Sequence, residues 1–208
     1  SYAARKKLFD KGRSSWEDYP KEQISEGGGV YSRSSKSVPL SPEIQNVLGI
    51  QKDSLSGDEL IQTILMSPVD LLWNGGIGTY VKSKVEEHID VGDPANDSVR
   101  VDAEKVRARV VGEGGNLGFT SLGRIALASR GVGINTDAID NSAGVDLSDH
   151  EVNLKILFQR PLSRGDIDVA QRDECMEEIR LEVDDQVLKN NWVHSRMLSL
   201  DVIRSRRD

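Results

Sequence analysis

Residues 108–135 read ARVVGEGGNLGFTSLGRIALASRGVGIN. An apolar, β-branched run, Ala108-Arg109-Val110-Val111, stops at Gly112-Glu113-Gly114-Gly115-Asn116. Thr120–Arg130 then carries Leu122, Ile125, Ala126 and Ala128 at helical spacing, and a second run follows at Val132-Gly133-Ile134-Asn135. Strand, glycine turn, helix, strand is the pattern of a parallel sheet with crossover helices. A hairpin is the weaker reading, because its spacers are two to five residues. Working upstream, Val69-Asp70-Leu71-Leu72-Trp73 before Asn74-Gly75-Gly76 repeats the same ending and supplies a third strand.

Outward from this centre the chain changes texture. Residues 1–58 are the least regular, with short helices expected at Ala3–Phe9 and Ser15–Tyr19 and a serine-rich surface loop at Ser32–Ser37. Ser41-Pro42-Glu43 reads as an N-cap with proline in the first turn, and Gly49 as the stop. Ser56-Gly57-Asp58-Glu59 is a capping box. Residues 148–208 read as helix, broken at Pro161 and the Arg164-Gly165-Asp166 turn; beyond it Met176, Ile179, Val183 and Val187 recur at three and four residues.

The 208 residues hold 27 Lys+Arg against 34 Asp+Glu, a net charge of −7. That balance argues against a nucleic-acid or anionic-membrane partner, which needs a basic surface. No apolar run approaches the ~20 residues of a membrane span, and Ser1–Phe9 has basic residues without the apolar stretch of a secretory signal. The single cysteine, Cys175, excludes an internal disulfide framework and suits a reducing compartment. A cytoplasmic α/β protein is the expectation.

Glycine turns at the carboxyl ends of parallel strands are where α/β proteins bind ligands. Turns without Cβ atoms let backbone N–H groups approach a phosphate or a ring. None of the three glycine clusters completes a dinucleotide fingerprint: Leu117, Val81 and Thr136 stand where the third glycine belongs. Spacing alone therefore leaves nucleotide binding and plain strand-to-helix turns as alternatives. His88, His150 and His194 are far apart, so no metal site is expected. Glu174, Glu177 and Glu178 surround Cys175 and disfavour its thiolate, which argues against a nucleophile.

Longer strings say more than spacing. Val69–Val81 (VDLLWNGGIGTYV), Val110–Gly118 (VVGEGGNLG) and Ile134–Asn153 (INTDAIDNSAGVDLSDHEVN) resemble the large bacterial NAD-specific glutamate dehydrogenases, as does Arg13–Ser41. The resemblance covers most of the chain. It implies a cofactor, NAD, with Asn74, Gly75 and Gly76 near its ribose. Glu113, Gly114, Gly115 and Asn116 would lie along its nicotinamide side, and Asn141 would face the nicotinamide itself. It also implies that Ser148 contacts the substrate carboxylate, although Ser148-Asp149-His150-Glu151 is equally a capping box. The implied reaction converts L-glutamate to 2-oxoglutarate and ammonia in amino-acid catabolism, within a parent that forms a homo-oligomer.

The family's glycine fingerprint, catalytic lysine and catalytic aspartate belong to sequence before the matched segment. The chain thus resembles a carboxyl-side fragment, with the rest of the parent chain as its partner and no glutamate turnover of its own. A non-catalytic α/β interaction module is the alternative. The expected fold is α/β, a partial Rossmann-like domain with a short parallel sheet flanked by helices. Residues 1–150 would form the partial NAD-binding domain lacking its first strands, and residues 151–208 a helical segment packed on it. Missing strands would leave Val69–Trp73 as an open edge, for which Ile24–Pro39 is the favoured cover and a second copy of the chain the other.

Overall fold

The structure is a computed structural model and describes residues 2–205. They form two compact units: one holds the chain up to Leu72 with Gly78–Val111 and Gly118–Ile134, the other Trp73–Ile77, Gly112–Leu117 and the chain from Asn135.

The first unit opens with α1 (Tyr2–Lys11) and a 3-10 turn at Trp16–Asp18 that Ser15 caps. β1 (Val38–Pro39), α2 (Pro42–Leu48), β2 (Ser54–Leu55) and α3 (Gly57–Leu65) follow. Both helices begin as their sequences require. The Ile44 N–H donates to Ser41 Oγ at 3.1 Å, and the Glu59 N–H to Ser56 Oγ at 3.2 Å while Glu59 accepts the Ser56 N–H at 2.8 Å. α2 ends because Gly49 adopts a left-handed φ of 68°.

β3 (Leu71–Asn74), β4 (Val81–Lys82), α4 (His88–Val91), β5 (Val101–Asp102), β6 (Val110–Glu113), α5 (Ser121–Ser129) and β7 (Gly133–Ile134) come next. The strands near Leu71, Val110 and Gly133 form one sheet in the order β3-β6-β7. β6 and β7 are parallel, with Val110 opposite Gly133 and Val111 opposite Ile134. The N–H groups of Arg109 and Val110 donate to the carbonyls of Val69 and Asp70, both at 3.0 Å. β4 and β5 make a second parallel pair that the sequence reading did not separate out. Val81, Val101, Val106, Val111, Phe119 and Leu127 close the core, the last from the buried face of α5. The fold is mixed α/β, a short parallel sheet with flanking helices and a helical carboxyl-terminal part.

Ile24–Pro39 does not cover β3. Val38 and Pro39 pair antiparallel with Leu55 and Ser54. Val38 and Leu40 are consumed in a separate small core with Leu55, Ile44, Ile50 and Leu60. Arg33 holds the irregular segment elsewhere, donating to Asn96 Oδ1 and the Ala95 carbonyl, each at 3.0 Å. β3 stays an outer strand of its sheet, with Leu71 55 % exposed. Val38 has its partner Leu55 17 residues on, against 33 to Leu71 of β3, and the shorter loop is the cheaper to close.

The 79–105 stretch of this unit is braced by charge. Asp93 accepts hydrogen bonds from Asn96 Nδ2 and the Thr79 N–H, each at 2.8 Å, and these, with the nearby Arg100 and Arg33, hold its carboxyl below the ordinary value of 3.8. Asp102 is lowered likewise, first by its hydrogen bond from Lys82 and then by that from Lys105. A carboxylate whose pKa is lower in the folded state lends stability above its unfolded pKa and loses it as pH falls through the folded one. Stability is therefore expected to fall from near pH 3.8 downward, and Asp93→Asn and Asp102→Asn should each flatten that acid limb. Urea midpoints measured from about pH 7 to about pH 3 check this; equal acid slopes in wild type and variants would contradict it.

The second unit contains α6 (Asp137–Asp140), α7 (Ser142–Arg164) and α8 (Val169–Ser205). α7 runs through Pro161 instead of breaking there, and ends at Gly165 with φ 75°. Pro161 lies in the last turn, where its missing N–H costs one bond to the Leu157 carbonyl of a solvent-exposed residue. α7 also begins earlier than its sequence suggested, since the Asn141 N–H donates to the Asp137 carbonyl at 2.8 Å and carries helical backbone from α6 into α7. α7 and α8 pack as a hairpin in which Asn190 Nδ2 donates to Asp146 at 2.8 Å and Asn191 Nδ2 to Ser142 Oγ at 2.8 Å. Among the described residues no helix is long and apolar enough to cross a membrane.

Candidate functional site

The carboxyl ends of β3 and β6, the turns that follow them, α6 and the start of α7 all belong to the second unit. Two glycine-bearing turns meet there. The Gly114 N–H donates to the Asn74 carbonyl at 2.8 Å. A Cβ on Gly115 would stand 2.7 Å from the Gly76 carbonyl oxygen, so backbone lies against backbone and no side chain fits between. A Cβ on Gly76 would meet nothing within 4 Å, so that turn opens onto free space.

Trp73 explains two more of the glycines. Its ring lies over β6 and the turn, where a Cβ on Gly112 would fall 2.5 Å, and one on Gly114 2.9 Å, from indole carbons. Packing of this indole, and not ligand approach, is what forbids side chains at these two positions. Trp73 carries no special signal in the sequence; only its place immediately before Asn74-Gly75-Gly76 marks it.

Asn74 is half-buried, and its Nδ2 is a buried donor without an acceptor among the described residues. An amide donor left unsatisfied costs about 1–3 kcal/mol, which a fold seldom carries without a reason. The Glu113 side chain is fully enclosed at 0 % exposure, so the turn presents backbone and not a carboxylate. Asn116, exposed, accepts a hydrogen bond from Asn141 Nδ2 at 2.8 Å, which joins the second turn to the start of α7. Gly75, Gly76, Gly114 and Gly115 complete the cluster. The structure thus brings together every expected cofactor residue.

Ser148 is not in that cluster. It is exposed in the second turn of α7, which starts directly after Asn141, so the capping-box reading of Ser148 falls away. Seven residues separate it from Asn141, which puts both on one face of the helix about 10 Å apart. Three hollows lie elsewhere: about 750 Å³ at Asp70, Arg109, Arg130 and Gly131, about 500 Å³ at Val152, Ile156 and Arg160, and about 430 Å³ between Leu147, Leu154, Met176 and Val183; none of these includes an expected site residue. The candidate site is marked by the converging turns and the orphaned amide, not by volume.

In α/β proteins the strand-end turns of a parallel sheet are where ligands bind, which makes this edge the candidate. Residues 1–201 match the family described as bacterial NAD-glutamate dehydrogenase, catalytic domain. The chain is 52 % identical over 206 residues to an NAD-specific glutamate dehydrogenase of Halomonas elongata, covering 99 % of this chain and 13 % of the relative. It is 50 % identical over 206 residues to that of Pseudomonas aeruginosa, again 99 % and 13 %, and 52 % identical over 197 residues to that of Mycobacterium tuberculosis, 92 % and 12 %. The chain belongs to the bacterial NAD-glutamate dehydrogenase catalytic-domain family. It spans about an eighth of the length of these relatives.

Proposed function

We propose that this chain is the nicotinamide-side segment of an NAD-dependent glutamate dehydrogenase, which converts L-glutamate, NAD+ and water to 2-oxoglutarate, ammonium, NADH and a proton. The observation that carries the reading is Asn74 Nδ2, buried without an acceptor where the glycine turns converge. The cradle fits the cofactor: Gly115 and Gly76 leave no room for a side chain between the turns, and Gly76 opens outward. NAD, when bound, supplies the hydride acceptor at the nicotinamide C4. Asn74 would donate to a ribose oxygen and Asn141 would face the carboxamide side. Gly75, Gly76, Glu113, Gly114, Gly115 and Asn116 would line the cofactor through their backbone. Ser148, farther along the same face of α7, would donate its hydroxyl to the glutamate carboxylate.

The contribution of these residues is alignment, the holding of the substrate Cα–H against the acceptor, and not proton transfer. The 208 residues alone are then expected to form no NADH from glutamate and NAD, and the longer enzyme to act as a cytoplasmic homo-oligomer.

Ser148→Ala in a full-length enzyme carrying this segment tests the substrate side. Ser148 caps nothing, so its loss leaves helix stability unchanged or slightly improved. Losing a hydrogen bond to a carboxylate, about 1.5–3 kcal/mol, should raise the glutamate KM about ten-fold or more and leave the NAD KM alone. An unchanged glutamate KM removes Ser148 from the site. For the cofactor side, NADH titration of the same enzyme should show binding that Gly115→Ala weakens, and unaltered binding would count against the reading.

A further inference from the structure

The Gly112–Leu117 turn contains three glycines at 112, 114 and 115, and such a segment has little conformational preference of its own. Both of its ends are tied to one short helix. The Glu113 N–H donates to Asp140 Oδ2 at 3.1 Å, and the Leu117 N–H to Asp137 Oδ2 at 2.8 Å. The remaining oxygen of Asp140 accepts from Asn135 Nδ2 at 3.1 Å, and that of Asp137 from the Ala138 N–H at 3.0 Å. Four backbone or amide donors thus occupy the two carboxylates, so neither is directed at a ligand. Leu117 shows that the tie is under tension. It is not glycine, yet it holds φ at 58°, a left-handed conformation, and its side chain is 62 % exposed and supplies no burial that would compel it.

We propose that Asp137 and Asp140 are positioning residues that clamp the Gly112–Leu117 turn in the form that receives the nicotinamide cofactor, a role that rests on the cofactor reading above. A turn of this composition, left free, would have to be ordered by the ligand at the cost of affinity; a turn already held by two carboxylates is ordered beforehand. The two aspartates stand three residues apart, so α6 presents both toward the turn from one side.

The test uses a full-length enzyme carrying this segment, with NADH binding followed by nicotinamide fluorescence. Asp137→Ala should weaken NADH about ten-fold or more, while Asp137→Asn, which keeps an acceptor oxygen for the Leu117 N–H, should stay within about three-fold of wild type. Asp140→Ala and Asp140→Asn should repeat that pair of results and keep the question answerable where one alanine variant fails to fold. The glutamate KM should move by less than about two-fold in each, a split that general loss of structure would not produce. Gly115→Ala serves as the reference, since its Cβ would strike the Gly76 backbone directly. If Gly115→Ala loses NADH and both alanine variants bind it normally, the clamp is wrong and the cofactor site stands. If none of the variants alters NADH binding, the cofactor reading fails and the clamp with it. Asparagine variants as damaging as the alanines would also overturn the proposal, because charge and not the hydrogen bond would then be at work.

Discussion

Arg100→Met is expected to cost about 3–5 kcal/mol of stability, which for a chain of this size lowers the melting temperature by roughly 10 °C or more. The guanidinium of Arg100 is completely buried, at 0 % side-chain exposure, in the stretch between β4 and β5. Its Nε donates to the Thr79 carbonyl at 2.8 Å and one terminal nitrogen to the Asp93 carbonyl at 2.6 Å. The other terminal nitrogen meets Asp97 Oδ1 and lies 2.9 Å from His88 Nδ1, while the first is also 3.8 Å from the Asp93 carboxylate. One planar fork satisfies two carbonyls and a carboxylate and lies beside an imidazole nitrogen. Methionine fills much of the same volume, so the loss measures the stranded acceptors more than a cavity. Lysine restores the charge with a single nitrogen and no fork, and Arg100→Lys should recover less than half of the loss. Urea unfolding of the three proteins checks both statements, and an Arg100→Met midpoint equal to that of wild type would show that the cluster stabilises nothing.

That cluster also shows what sequence alone conceals. Arg100, Asp93, Asp97 and His88 are spaced without period, and nothing in their order announces a buried arginine. Patterns that act over three or four residues were legible. Ser41 and Ser56 cap the helices they precede, Gly49 ends α2, and the three strands appear at the apolar runs that end in glycine or asparagine. What depends on distant partners was not. Val38 reads as available to cover the sheet edge, yet it packs with Leu40, Leu55 and Ile44 instead. Pro161 reads as a break, yet α7 carries it for one more turn to Gly165, with only the Leu157 carbonyl of an exposed residue left without its N–H partner. The Ser148–Glu151 spacing is a capping box only if a helix starts there, and the continuity from α6 through Asn141 starts it two turns sooner.

The candidate site divides along the same line. Its glycines and asparagines stood out as strand-end punctuation, and family resemblance gave them roles. The reasons for them differ from one position to the next. Gly115 is required by the Gly76 backbone, whereas Gly112 and Gly114 are required by the Trp73 ring. Asp137 and Asp140 carry no signal in the sequence, because acidic residues in the first turn of a helix are commonplace; their bonds from the Leu117 and Glu113 N–H groups single them out.

Asn74→Leu should raise stability and weaken cofactor binding together. Leucine has nearly the shape of asparagine, so it fits the half-buried position at the end of β3 without creating a cavity. It removes the Nδ2 donor that has no acceptor among the described residues, and relief of such a group is worth about 1–3 kcal/mol. The backbone bond from the Gly114 N–H to the residue-74 carbonyl, 2.8 Å, survives the change, so the two turns stay joined. In a full-length enzyme, on the cofactor role proposed above, the same substitution takes away a hydrogen bond to the bound cofactor. It also sets an apolar side chain against a ribose, and NADH should bind at least about ten-fold more weakly. The two effects have opposite signs, and that is their value as a test. A residue kept for packing would lose stability on replacement, and a damaged fold would lose stability and binding together. Only a donor held in reserve for a ligand gives a higher melting temperature with a weaker NADH complex. Thermal unfolding without cofactor and NADH titration of the same protein read the two quantities separately; a lowered melting temperature, or unchanged NADH affinity, would refute this role for Asn74.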